Sequence, residues 1–187
     1  MVVNEKGLLS AMKDAYKLDG YQVAVDESGG IENMIIHTPM WTVVIMKSEL
    51  PRKVLAMVVE HIGEIPRVGT AFQAKKKETQ TEIFNVVAGA PMDYHSDNQP
   101  RRIVRRTNLI LGGFPLWQTA TDQKVVKVYP DYEDIINWGN GVVRLVGDDV
   151  LMIDDDVSRA YIRASSPKAA QELEMLTHLT QIKWVSE

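Results

Sequence analysis

The chain has 187 residues, 45% of them apolar, 25% charged and 7% aromatic, a balance that excludes disordered and fibrous classes and leads us to expect one compact globular domain. It contains no Cys, which excludes thiol catalysis, zinc–thiolate sites and disulfides. With 21 Lys and Arg against 25 Asp and Glu, the formal net charge is −4, so the chain is not a bulk polycation.

Asn4 can cap a first helix whose apolar residues Leu8, Leu9, Met12 and Tyr16 recur on one face, with Gly20 as its stop. Residues 21–47 change period. Tyr21 to Val25, Met34 to His37 and Trp41 to Met46 are rich in β-branched and aromatic types between turn signals at Gly29-Gly30 and Thr38-Pro39, which predicts three strands. Ser48 as a cap, Pro51 near the start and the stripe Leu50, Val54, Val58, His61 and Ile65 predict a helix over 49–63, ended by Gly63 and Pro66. Two strands follow, Thr70 to Lys77 and Thr81 to Val87, joined by a polar stretch suited to a hairpin. The aperiodic run 88–100 reads as a mobile loop.

Residues 101–111 and 124–129 look extended, with Gly112-Gly113-Phe114-Pro115 as a bend between them. Asp131 and Asp134 can cap a short helix over 131–138, before the turn Gly139-Asn140-Gly141. Val142 to Val146, Val150 to Ile153 and Val157 to Ala164 fit three more strands, and Ser166 and Pro167 open a C-terminal helix over 166–182 with Ala169, Leu173 and Leu176 inward. This order lacks the strand–helix alternation of a parallel sheet. The expected class is therefore α+β, mainly antiparallel, with about four helices in a single domain over 1–187.

The longest apolar run, Val54-Leu55-Ala56-Met57-Val58-Val59, is far short of the roughly 18 residues that cross a bilayer. The first residues also lack the pattern of a secretory signal, so the cytoplasm is the default expectation and no membrane partner is expected.

Charge is segregated along the chain. Residues 1–66 carry 6 Lys and Arg against 9 Asp and Glu, residues 67–127 carry 10 against 5, and residues 128–187 carry 5 against 11. The positive stretch holds Lys75, Lys76 and Lys77 at the end of one predicted strand, Arg101, Arg102, Arg105 and Arg106 on another, and Lys124 and Lys127 on a third. Strand alternation puts Arg101 and Arg105 on one side and Arg102 and Arg106 on the other. Phe72, Phe84, Tyr94 and Trp117 lie nearby as rings able to stack on bases, and Arg159, Tyr161 and Arg163 share one side of a further strand.

Other chemistries find less support. Neither GxxxxGK[ST] nor GxGxxG nor a GxSxG elbow occurs. His37, His61, His95 and His178 never fall at metal-ligand spacing; His61 and His178 read as packing or surface residues, and His95, beside Asp93 and Asp97, is the best placed to act as a base. Asp148, Asp149, Asp154, Asp155 and Asp156 cannot all converge on one side of a strand, so they read as turn residues. The leading expectation is a non-enzymatic protein that holds single-stranded RNA or DNA with little sequence preference, without cofactor or metal. The alternative is a protein–protein adaptor, inhibitor or self-assembling homo-oligomer using complementary charged patches. A metal-dependent phosphodiesterase built on Asp93 or Asp97 with Asp122 and Lys124 is the third.

Overall fold

The computed structural model describes residues 1–77, 81–83 and 99–167. Its elements run α1 (Glu5–Lys17), β1 (Tyr21–Ser28), β2 (Ile31–His37), β3 (Trp41–Met46), α2 (Arg52–Ile62), β4 (Ala71–Ala74), β5 (Thr81–Ile83), β6 (Arg101–Leu111), β7 (Phe114–Thr119), β8 (Val125–Val128), α3 (Pro130–Glu133), β9 (Arg144–Val146), β10 (Val150–Asp154) and β11 (Ser158–Ser165). The α+β class with a large antiparallel sheet is as expected. Tyr94, His95 and most of the 88–100 loop lie outside the described residues, as do Phe84, His178 and the helix expected over 166–182 from position 168 onward.

Local chemistry accounts for the first half. The Asn4 side chain accepts from the Lys6 amide at 3.2 Å and so caps α1, which buries Leu8 and Met12. Gly20 takes φ +85°, and a Cβ there would come within 2.8 Å of the Ala74 carbonyl oxygen, so only glycine fits between α1 and β1. Helix α2 starts later than Ser48 implies: Ser48 lies in a 3-10 turn, Lys47–Glu49, and Pro51 itself holds the N-cap position without a side-chain hydrogen bond. Gly63, at φ 92°, closes that helix by donating to the Val59 carbonyl at 2.8 Å.

Strands β3–β2–β1–β4–β5 form an open antiparallel run, and β3 pairs in turn with β11. One edge of β11 pairs with β3 through Ser158–Ile162 and then with β8 through Ala164 and Ser165, while Arg159–Arg163 pair with β10 on the other. Since β10 leads through β9, β6 and β7 back to β8, the strands β6 to β11 close into a six-membered ring. Closure leaves this region with few unpaired strand edges.

One apolar cluster runs through both halves: Leu8, Met12, Val54 and Val58 of the helices meet Val23, Ile36 and Val43 of the open sheet, and Val126, Leu145 and Leu151 of the ring belong to the same cluster. Val146, Val150, Met152 and Tyr161 form a separate cluster, as do Ala24, Ile35 and Ala71; Val44 packs against both.

Two departures from expectation have local causes. The segment read as a bend contains strand β7, buried from Pro115 to Thr119, so it shows none of the apolar–polar alternation that marks a half-exposed strand. Its proline is tolerated near the strand start, opposite Ile110 and next to the Gly112-Gly113 turn. The helix expected over 131–138 is the single turn α3; Tyr129 is its N-cap, and Asp131 lies inside it instead of capping it.

Candidate functional site

Strand β6 divides its four arginines as alternation predicts. Arg102, Val104 and Arg106 face one way, with Val104 buried, while Arg101, Ile103 and Arg105 are exposed on the other side. The inward pair is bound to carboxylates. Arg106 donates from Nε to Glu133 Oε1 at 2.7 Å and from Nη2 to Oε2 at 3.2 Å, a two-pronged contact with a buried acid. Glu133 Oε1 also accepts from Trp117 Nε1 at 3.0 Å, and the Trp117 ring packs on Trp138 with centroids 4.3 Å apart.

Arg102 reaches Asp122 at 2.6 Å, Asp148 at 2.9 Å and the Gly147 carbonyl at 2.5 Å. Lys124 meets the same Asp148 at 2.5 Å, so two cations and two carboxylates balance. The Thr119 hydroxyl and the Arg102 guanidinium hold the Asp122 carboxyl down to about 2. Asp148 is also lowered, by Lys124 first and then Arg102.

The remaining expected site residues are dispersed. Arg159 lies 3.6 Å from Asp154, which also binds Arg144 at 2.7 Å, and Arg163 lies 3.4 Å from Asp149. Lys127 sits over the Phe114 ring, 5.6 Å from its centroid. Trp117 and Tyr161 are each 2% exposed, so neither ring can stack on a base; Phe72 is half-buried against the core. Lys75, Lys76 and Lys77 follow β4, and the Lys76 amide donates to the Tyr16 carbonyl at 2.9 Å. They do not join the β6 arginines, because β4 pairs with β1 and the sheet interposes β1, β2 and β3 before it reaches the ring at β11. The positive stretch of sequence is thus divided in space.

Among the described residues no three His, Cys, Asp or Glu side chains gather as metal ligands. His61 stacks on Tyr16 at 3.7 Å between centroids and shares a 2.8 Å hydrogen bond with the buried Tyr21 hydroxyl; burial lowers its pKa from the ordinary value. The residue that sequence reasoning missed is Glu133. Its neighbours Asp131 and Asp134 suggested helix capping, and no local signal marks an acid whose partners are 27 and 16 positions away. No protein-family model, curated protein or solved structure matches the chain.

Proposed function

We propose that the protein is a non-enzymatic, self-assembling accessory protein, and that the outer face of β6 is the surface that docks onto a second copy. The observation that carries this reading is Ile103, 50% exposed between the exposed Arg101 and Arg105. Val142 continues the surface at 47% exposure, while its neighbour Val143 turns into the core. An apolar centre rimmed by guanidinium groups suits an acidic protein surface with an apolar centre. The chain offers an acidic complement in Asp131, Asp134 and Asp156, which are exposed and make no ion pair among the described residues. Polynucleotide binding by this face has less support: accessible rings are what unpaired bases need, and Trp117 and Tyr161 are buried.

Sedimentation velocity at 50 and 500 mM salt tests the proposal. The expected result is concentration-dependent association at low salt that weakens at high salt and disappears in the Arg101→Glu, Arg105→Glu double variant. Both side chains are exposed, so the variant should keep the parent's fold, checked by its circular dichroism spectrum. A monomer at both salt levels overturns self-assembly. Retardation of a labelled single-stranded oligonucleotide by low micromolar protein, lost in the same variant, returns the face to nucleic acid.

A further inference from the structure

The sequence contains one Asn-Gly pair, Asn140-Gly141, in the connection between α3 and β9. Asparagine followed by glycine is the pair most prone to spontaneous ring closure, because no side chain crowds the main-chain nitrogen that attacks. Both residues are exposed, and Asn140 ends the 3-10 turn Trp138–Asn140. Among the described residues the Gly141 amide donates to no main-chain carbonyl, so the nucleophile beside the Asn140 amide is uncommitted. Glycine has a packing reason to be there: a Cβ at position 141 would lie 3.1 Å from Ile153 Cγ1 and 3.3 Å from the Asp154 carbonyl oxygen. The other described asparagines are placed differently. Asn4 opens α1 and accepts from the Lys6 amide, Asn33 and Asn108 lie in strands, and Asn137 is followed by the bulky Trp138.

The Asn140 side chain also holds a second segment in place. Its Nδ2 donates to the Met1 carbonyl at 3.1 Å, and Asn137 Nδ2 donates to the same oxygen at 3.4 Å and to the Val3 carbonyl at 3.1 Å. The Asn137 amide donates to the Val2 carbonyl at 2.8 Å, the Asn4 amide to the Ile135 carbonyl at 2.7 Å, and Val3 bridges Ile136 in antiparallel fashion. Residues 135–140 thus clamp residues 1–4, with Val2 and Val3 buried. Asn140 is the exposed end of that clamp.

We propose that Asn140 is a site of spontaneous conversion to isoaspartate, and that the conversion releases residues 1–4 from the clamp. The Gly141 nitrogen gives up its proton and attacks Asn140 Cγ. The N–Cγ bond forms, the Cγ–Nδ2 bond breaks, and the side-chain nitrogen takes up a proton and leaves as ammonia. Water then opens the imide: its hydroxyl adds to the former main-chain carbonyl carbon, its proton returns to the Gly141 nitrogen, and the main chain runs through Cγ, one methylene longer. Opening at Cγ instead gives aspartate. Either product lacks the Nδ2 donor and brings a carboxylate to the Met1 carbonyl oxygen, while the Met1 ammonium is already held by Asp155 at 3.1 Å. The inference stands apart from the β6 reading, and dilute protein in high salt keeps association at that face out of its test.

The test is to age the full chain under those conditions, with peptide mapping and an isoaspartate-specific carboxyl methylation assay. Isoaspartate should appear at position 140 ahead of every other asparagine, and faster at about pH 9 than at about pH 7, because the nitrogen attacks in its deprotonated form. Gly141→Ala should slow it at least about tenfold by crowding that nitrogen. Since the new Cβ also meets Ile153, Asn140→Gln is the second variant; it keeps Gly141 and should show no signal at 140, its ring being six-membered. Hydrogen exchange of the peptide holding residues 1–4 should be faster in the aged chain, and in unaged Asn140→Asp, than in the fresh parent, with β3 unchanged. Isoaspartate absent from 140, or no more abundant there than at Asn33 or Asn137, overturns the site. Modification without faster exchange, or Asn140→Asp exchanging like the parent, overturns the release.

Discussion

Arg102 and Arg106 lie four residues apart on the same face of β6, and each meets carboxylates within 3 Å, yet the two ion pairs have different physical weight. The difference lies in the acids. Glu133 is buried and bonded to both Arg106 and Trp117, whereas the Asp122 and Asp148 side chains are 47% and 77% exposed. A buried acid that loses its cation, or a buried donor that loses its acceptor, pays desolvation without return. Exposed carboxylates are rehydrated when their partner leaves, so the rim cluster contributes little net stability. Identical residue types in the same strand register can therefore be a structural strut in one place and a charge-neutralising patch in another.

The largest test of this contrast is Glu133→Ala, expected to cost about 3 kcal/mol in urea unfolding because Arg106 and Trp117 Nε1 both lose their acceptor. Arg106→Ala should cost less, and the double variant should lose less than the sum of the two single losses, since the interaction can be broken only once. A strictly additive cycle would break the assignment of Glu133 as the shared acceptor.

Arg102→Ala should have only a small fraction of the Glu133→Ala effect in the same assay. A loss of similar size would mean that the rim cluster holds the fold together as strongly as the buried pair does. In that case the unpartnered, buried Arg102 Nε would have to be part of the explanation.

The smallest expected effect is a pH dependence. The Asp122 carboxyl titrates near 2 in the folded chain and near 4 when unfolded, so its contribution is fully present above about pH 4 and is lost as pH falls toward 2. Melting temperatures between pH 5 and pH 2 should fall less steeply in Asp122→Asn than in the parent. Equal slopes would show that the Thr119 and Arg102 contacts do not act on Asp122 in solution.

Much of the architecture was legible because it rests on near-neighbour chemistry. The Asn4 cap, the Leu8 and Met12 stripe, the Gly29-Gly30 turn and the strand from Trp41 to Met46 follow from residues a few positions apart. Strand β7 was not legible, because burial on both faces removes alternation and Pro115 imitates a break. The site was legible only in part. Alternation correctly split Arg101 and Arg105 from Arg102 and Arg106, but nothing near Arg106 names Glu133, and nothing near Asp19 announces that Asp131 will share its cavity.

By itself, the sequence determined helices α1 and α2 and most of the strands other than β7, which side chains alternate along β6, and that cations crowd the middle of the chain. These are properties of backbone sterics and apolar period, which act over a few residues. Tertiary structure alone decided that Lys75 to Lys77 and the β6 arginines separate, that Trp117 and Tyr161 are buried, that β6 to β11 close into a ring, and that Asp19, just after α1, and Asp131 of α3 line one cavity. Charge is read in space: a cation's field depends on which distant acid the strand pairing brings to it and how much water remains between them, and neither is written in neighbouring residues.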